Sequence, residues 1–131
     1  MTTIDDLVRD QRFYDVDLIK LDVQGFELEV LKGATRTLQQ TSFVLLEVSV
    51  WQYNEGSPLI SEVFQWMSHS GFVAQDVVGL SRRSDGQLLQ VDILFIRNDH
   101  PLLSNKLTHY GHEHGDPVKP GSHNRNTEEG S

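Results

Sequence analysis

The chain has 131 residues, 37% of them hydrophobic, with 19 acidic residues against 11 basic ones and a formal net charge of -8. This size suits one domain with a modest core, and the acidic balance excludes a nucleic-acid backbone as partner, since no basic cluster goes beyond Arg82-Arg83. The absence of cysteine excludes disulfides and thiolate chemistry. No apolar run nears the ~18–20 residues that span a bilayer, and MTTIDDLVRD has no signal-peptide core, so a cytoplasmic protein is expected.

Thr3 is placed to cap a short first helix, with Asp6 three residues on and Asp5 and Asp6 at its positive end. Residues 17–23, DLIKLDV, read as a strand with Ile19, Leu21 and Val23 on one face and Leu18, Lys20 and Asp22 on the other. Gly25 then permits a tight turn or the approach of another group to the backbone. Residues 26–39 read as a helix with Leu28, Leu31, Thr35 and Leu38 near one stripe; Gly33 marks close packing or a break.

A second strand covers 42–50, SFVLLEVSV, with the continuous apolar centre expected of a strand covered on both faces. A loop from Trp51 to Pro58 leads to a helix over 59–70, with Gly71 at its C-terminal cap. Strands are expected over 72–79 and 88–96. The Asp85-Gly86 turn signal between them makes these an antiparallel hairpin with a long tip. A polar tail over 99–131 is expected to be disordered. The helix joining the first two strands makes them a parallel pair, so the fold class is α/β with a partial sheet ending in a hairpin.

In an open parallel sheet, ligands gather at the carboxyl ends of the strands. Asp22, Glu27 and Glu47 fall near that rim. They could orient a ligand amine or hydroxyl, accept a proton, hold a divalent cation, or simply cap helices. Lys20 shares the Asp22 face and could neutralise an acid. Trp51 and Tyr53 could line a substrate pocket, with Asn54 and Glu55 beside them. Arg82 and Arg83, near the hairpin tip, could meet an anionic substrate or partner, but read first as a solvated turn. His109, His112 and His114 lack a compact frame, so no metal ligand set is assigned. There is no Walker loop, G-x-G-x-x-G, nucleophile elbow or HExxH.

Lys20, Asp22, Gln24, Gly25, Glu27, Leu31, Lys32, Gly33 and Ala34 follow one another in a pattern that resembles the FkbM-type methyltransferases, and LLEVS at 45–49 looks like that family's next strand. The resemblance runs from about Thr3 to Asn98 and is read as the C-terminal half of the family's domain only. It implies a Rossmann-like class I methyltransferase fold, S-adenosylmethionine as cofactor, and methyl transfer to a hydroxyl of a sugar or other small molecule. It implies that Asp22, Gln24 and Gly25 lie at the cofactor, and that Asp22, Glu47, Glu27 and Lys20 are the catalytic candidates. The family's glycine-rich first loop is absent from the sequence, so the chain alone is expected to bind the cofactor poorly. The alternative function is a non-catalytic interaction module that pairs through an open strand at 18–23, with a second copy or with a missing N-terminal half.

Overall fold

The computed structural model describes residues 1–52 and 54–104. The elements are α1 (Ile4–Asp10), β1 (Leu18–Leu21), α2 (Glu27–Lys32), α3 (Thr35–Leu38), β2 (Phe43–Ser49), α4 (Ile60–His69), β3 (Phe72–Arg82) and β4 (Leu88–Arg97). They form a mixed α/β fold around one four-stranded sheet of order β1-β2-β4-β3. The expected parallel pair is present, with Leu18 beside Phe43 and Leu21 beside Leu46. The expected hairpin is present too. Its strands run further than the sequence suggested, so the tip is only residues 83–87, closed by Arg83 N–H to the Gln87 carbonyl at 2.8 Å. The second hairpin strand, β4, lies between β2 and β3 and runs antiparallel to both.

Strand alternation decides what each face carries. Ile19, Leu21, Val44, Leu46, Val48, Val91, Ile93 and Phe95 are buried in one cluster with Leu31, Ala34 and Leu38 from α2–α3 and Val63 and Met67 from α4. The other face carries Lys20, Leu45, Glu47, Asp92 and Leu94, all exposed or half-buried. The expectation that β2 is covered on both faces is therefore corrected. Its burial alternates along the strand, because the apolar stripes of the helices join only one side of the sheet.

The single helix expected over 26–39 is also corrected. It is two short helices, and Gly33 caps the first. A side chain at Gly33 would come within 3.0 Å of Thr3 Cβ, and the Gly33 carbonyl accepts the Asp5 N–H at 3.0 Å. Helix α1 thus crosses the chain where α2 ends. Thr35, expected on the apolar stripe, is exposed, and Thr37 is buried instead.

Thr3 caps α1 as expected: its hydroxyl accepts the Asp6 N–H at 3.1 Å, and Asp6 accepts the Thr3 N–H at 3.2 Å. Asp5 serves a different helix. Its carboxylate accepts the Thr37 N–H at 2.8 Å, the Thr37 hydroxyl at 2.7 Å and the Arg36 N–H at 3.0 Å, satisfying free donors at the start of α3. Burial works against ionisation of Asp5. The Thr37 hydroxyl, the two backbone donors and the Arg36 charge outweigh it and hold the carboxyl below its ordinary 3.8. Asp5→Ala is expected to lower stability at neutral pH by about 1–2 kcal/mol in urea titrations. Because the folded pKa is depressed, that contribution is present above the unfolded value and is lost as the pH falls through the folded one.

Arg97 closes the far side, donating from Nη1 to the Leu38 and Gln39 carbonyls at 2.9 Å each. These elements belong to one compact unit, Met1–His100. A second unit, Pro101–Ser131, is described only over residues 101–104, which are helical. Tyr53, the three clustered histidines and the rest of the polar tail lie outside the described residues.

Candidate functional site

The carboxyl ends of β1 and β2 point the same way, and the acids gather there. Asp22 follows the last registered pair, Leu21 with Leu46, which brings it alongside Glu47. Glu47 in turn stands opposite Asp92 on β4, and Asp92 opposite Gly79 on β3. Asp22, Glu47 and Asp92 thus form a row across three strands. A Cβ on Gly79 would meet the Asp92 carboxylate, whose Cγ lies 3.2 Å from that position, so the glycine leaves room for the acid. Burial, then the charges of Asp22, Asp92 and Glu27, push the Glu47 carboxyl above its ordinary 4.5, while the side-chain amide of Gln90 works the other way. A carboxyl with a raised pKa among like charges is suited to accept a proton.

Glu27 belongs to the same neighbourhood but is occupied. It is buried, and both its oxygens face the Gly25 N–H, at 3.0 and 3.2 Å. It fixes the loop after β1. Lys20 is exposed on the face of the acid row and makes no ion pair among the described residues. Trp51 is half exposed, and its indole N–H donates to the Leu88 carbonyl at 3.0 Å, which ties the loop after β2 to the foot of β4. Arg82 donates to the Gly86 carbonyl at 2.9 Å and Arg83 pairs with Asp85 at 3.1 Å, so both serve the hairpin tip. Among the described residues, no three acids or histidines are placed to hold a metal ion, which corrects the cation-binding alternative for Asp22, Glu27 and Glu47.

Two register positions beyond the acid row, on the same face, Ser49 stands opposite Gln90. These two, with Gln24, Asn54 and Ser57, line a cavity of about 330 Å³. Its wall explains the loop glycine. Gly25 has φ +96°, and a Cβ there would meet the Ser57 hydroxyl and lie 3.1 Å from Ser57 Cβ. Gly25 is the point where the segment before α4 is let in against the loop after β1. A larger cavity, about 450 Å³, is bordered by Arg9, Arg12, Phe13, Tyr14 and Val16, before β1, and by Gln40, before β2. It sits at the amino ends of the parallel strands, away from the acid row.

Asp92, Gln90 and Ser57 were not singled out from the sequence. A signal existed for the first two: alternation in LLQVDILFI sets Gln90, Asp92 and Leu94 on the face opposite Val91, Ile93 and Phe95. That alternation does not reveal that this face lies beside Glu47.

A profile of the methyltransferase FkbM domain matches residues 1–74. The chain belongs to the FkbM methyltransferase family. The family match contains Asp22, Gln24, Gly25, Glu27, Glu47, Ser49, Asn54 and Ser57, and ends before Gln90 and Asp92. The reading of the FkbM resemblance as a C-terminal half only, reaching Asn98, is corrected: the matched residues are the N-terminal half of this chain. The hairpin beyond carries strand alternation and a turn signal but none of the motif residues. The chain is also similar to the hexuronic acid methyltransferase AglP of Haloferax volcanii, 46% identical over 44 residues, which is 34% of this chain and 18% of that protein. The stretch matched is thus less than a fifth of the relative's length. No solved structure matches.

FkbM membership implies S-adenosylmethionine, a cation at its sulfonium and ammonium end and a nucleoside at the other. Asp22 and Glu47 have the charge for the cationic end. The nucleoside end has no comparable cradle among the described residues. Among the described residues there is no glycine-rich strand–loop–helix, and β1 has a neighbour on one side only. The residues present do not fit the whole cofactor. No described helix is long and apolar enough to cross a membrane.

Proposed function

We propose that this chain supplies the acceptor side of a Rossmann-like O-methyltransferase acting on a hydroxyl of a small molecule or sugar, with Glu47 as the proton acceptor. The observation that carries the reading is the placement of Glu47. It stands at the carboxyl end of the parallel pair, flanked by Asp22 and Asp92 and pushed toward holding a proton. FkbM membership and the similarity to a hexuronic acid methyltransferase support the reaction class. Glu27 acts through the loop, by holding Gly25, and Asp22 acts through its charge on Glu47. The protein groups align the acceptor oxygen and remove its proton, and positioning supplies much of the rate.

The test is methyl transfer from methyl-labelled S-adenosylmethionine at high concentration to a panel of small glycosides. Slow, Glu47-dependent transfer is expected, with weak cofactor binding in calorimetry. Asp22→Asn should lower turnover more than it lowers stability. It should also shift the rising limb of the rate–pH profile downward, because one like charge beside Glu47 is gone. A profile that does not move would show that Asp22 does not tune Glu47.

The second reading, an interaction module pairing through β1, is favoured by one observation. Strand β1 is at the sheet edge, with Leu18 half exposed. Stable self-association with no transfer to any acceptor would select it.

A further inference from the structure

We infer that the cavity lined by Gln24, Ser49, Asn54, Ser57 and Gln90 binds an uncharged pyranose and discriminates against a uronic acid. The inference rests on the methyltransferase reading and names the acceptor class. Among the described residues, the lining is three primary amides and two hydroxyls, with no charged side chain. Each of these groups both donates and accepts, which is the pattern that matches the hydroxyls of a sugar ring.

Ser57 is the independent sign that something polar belongs there. The residue is only 8% exposed, yet its hydroxyl makes no hydrogen bond to any described residue. It is not sealed in the core, where a bare hydroxyl would be costly, but opens on the cavity. A ligand hydroxyl or water is its natural partner. Gln24 adds to this. It is held at φ +46°, a left-handed conformation that a glutamine side chain rarely adopts, and it lines the cavity from that position.

Gln90 connects the cavity to the chemistry. It borders the cavity from the same face of β4 as Asp92, two residues away, and Asp92 stands opposite Glu47, whose charged form the Gln90 amide favours. A ring hydroxyl bonded to Gln90 therefore lies next to the proposed proton acceptor. The same neighbourhood decides the charge of the ligand. The acid row of Asp22, Glu47 and Asp92 lies two register positions away, and among the described residues no lysine or arginine lines the cavity to answer a carboxylate. A uronate would bring a further negative charge toward that row, and juxtaposed like charges are strongly disfavoured. This chain thus differs in acceptor from the relative named for hexuronic acid.

The test is an NMR titration of the full ¹⁵N-labelled chain with neutral methyl pyranosides of gluco, galacto and manno configuration and, separately, with methyl glucopyranosiduronate, all without cofactor. At least one neutral glycoside is expected to shift the side-chain amides of Gln24, Asn54 and Gln90, and to bind about tenfold or more tighter than the uronate. Ser57→Ala and Gln90→Leu should each weaken it several-fold while the remaining backbone spectrum is unchanged. Binding of the uronate as tight as the neutral sugar overturns the inference. So does binding of none of them, or shifts confined to the cavity bordered by Arg9 and Arg12. Neutral glycoside binding at these amides with no methyl transfer leaves the inference standing and removes the methyltransferase reading. Transfer to an acceptor that leaves these amides unmoved does the reverse.

Discussion

Glu47→Gln is expected to abolish most methyl transfer while making the protein slightly more stable. Removing a positioned general base lowers turnover about 10²–10⁴-fold. The glutamine keeps the shape and a hydrogen-bonding oxygen, so the loss reads out proton transfer rather than packing. The stability gain comes from the opposing charges. Glu47 faces Asp92 across the β2–β4 pair and has Asp22 at its other side, and such cross-strand like charges destabilise by roughly 0.2–1 kcal/mol. The sign follows from the raised folded pKa. A protonated Glu47 stabilises the fold fully below the unfolded value, near 4.5, and this stabilisation is lost as the pH rises through the folded value. The gain in Glu47→Gln should therefore be present at pH 7 and vanish below about pH 4.5. Urea titrations at several pH values check it. A stability loss at neutral pH would mean that the Glu47 carboxylate is held by partners rather than crowded by like charges.

Gly25→Ala is expected to cost more than a glycine substitution in a loop ordinarily does, and to remove ligand binding in the adjacent cavity. Gly25 has φ +96°, and a side chain there meets Ser57 from 3.1 Å at its Cβ and closer at its hydroxyl. The left-handed conformation alone costs of order 1–3 kcal/mol for a residue with a Cβ, and the collision with Ser57 adds to it. For a domain of about this size each kcal/mol lowers Tm by about 4–8 °C. Gly56→Ala is the control. Gly56 has φ +86° but no atom within 4 Å of its missing Cβ, so it carries the backbone strain without the collision. The excess loss in Gly25→Ala, seen in thermal melts and in glycoside titrations, measures how far the approach of Ser57 shapes the site. Equal losses in the two variants would show that Ser57 moves aside freely.

Much of this architecture was readable from local pattern. The Thr3 cap, the parallel pair joined through α2 and α3, the α4 helix and the Asp85-Gly86 hairpin all rest on residues near one another in the chain. The helix break at Gly33 was visible as an alternative, but what it serves was not. It depends on Thr3 and Asp5, which belong to α1 and its cap, a separate element earlier in the chain. The β2 sequence was misleading for a related reason. Leu45 looks as apolar as Leu46, and only the positions of the helices decide which of them is covered.

Family membership and the residues at the rim after β1 and β2 were legible in the order of amino acids, because a motif of spaced residues and the period of each element are local properties of the chain. That β4 enters beside β2, bringing Asp92 to Glu47 and Gln90 to Ser49, and that Ser57 comes to rest on Gly25, emerged only from the packed fold. Those contacts join segments far apart in the chain. Their register follows from how the sheet closes over its buried face, and no single segment carries that information.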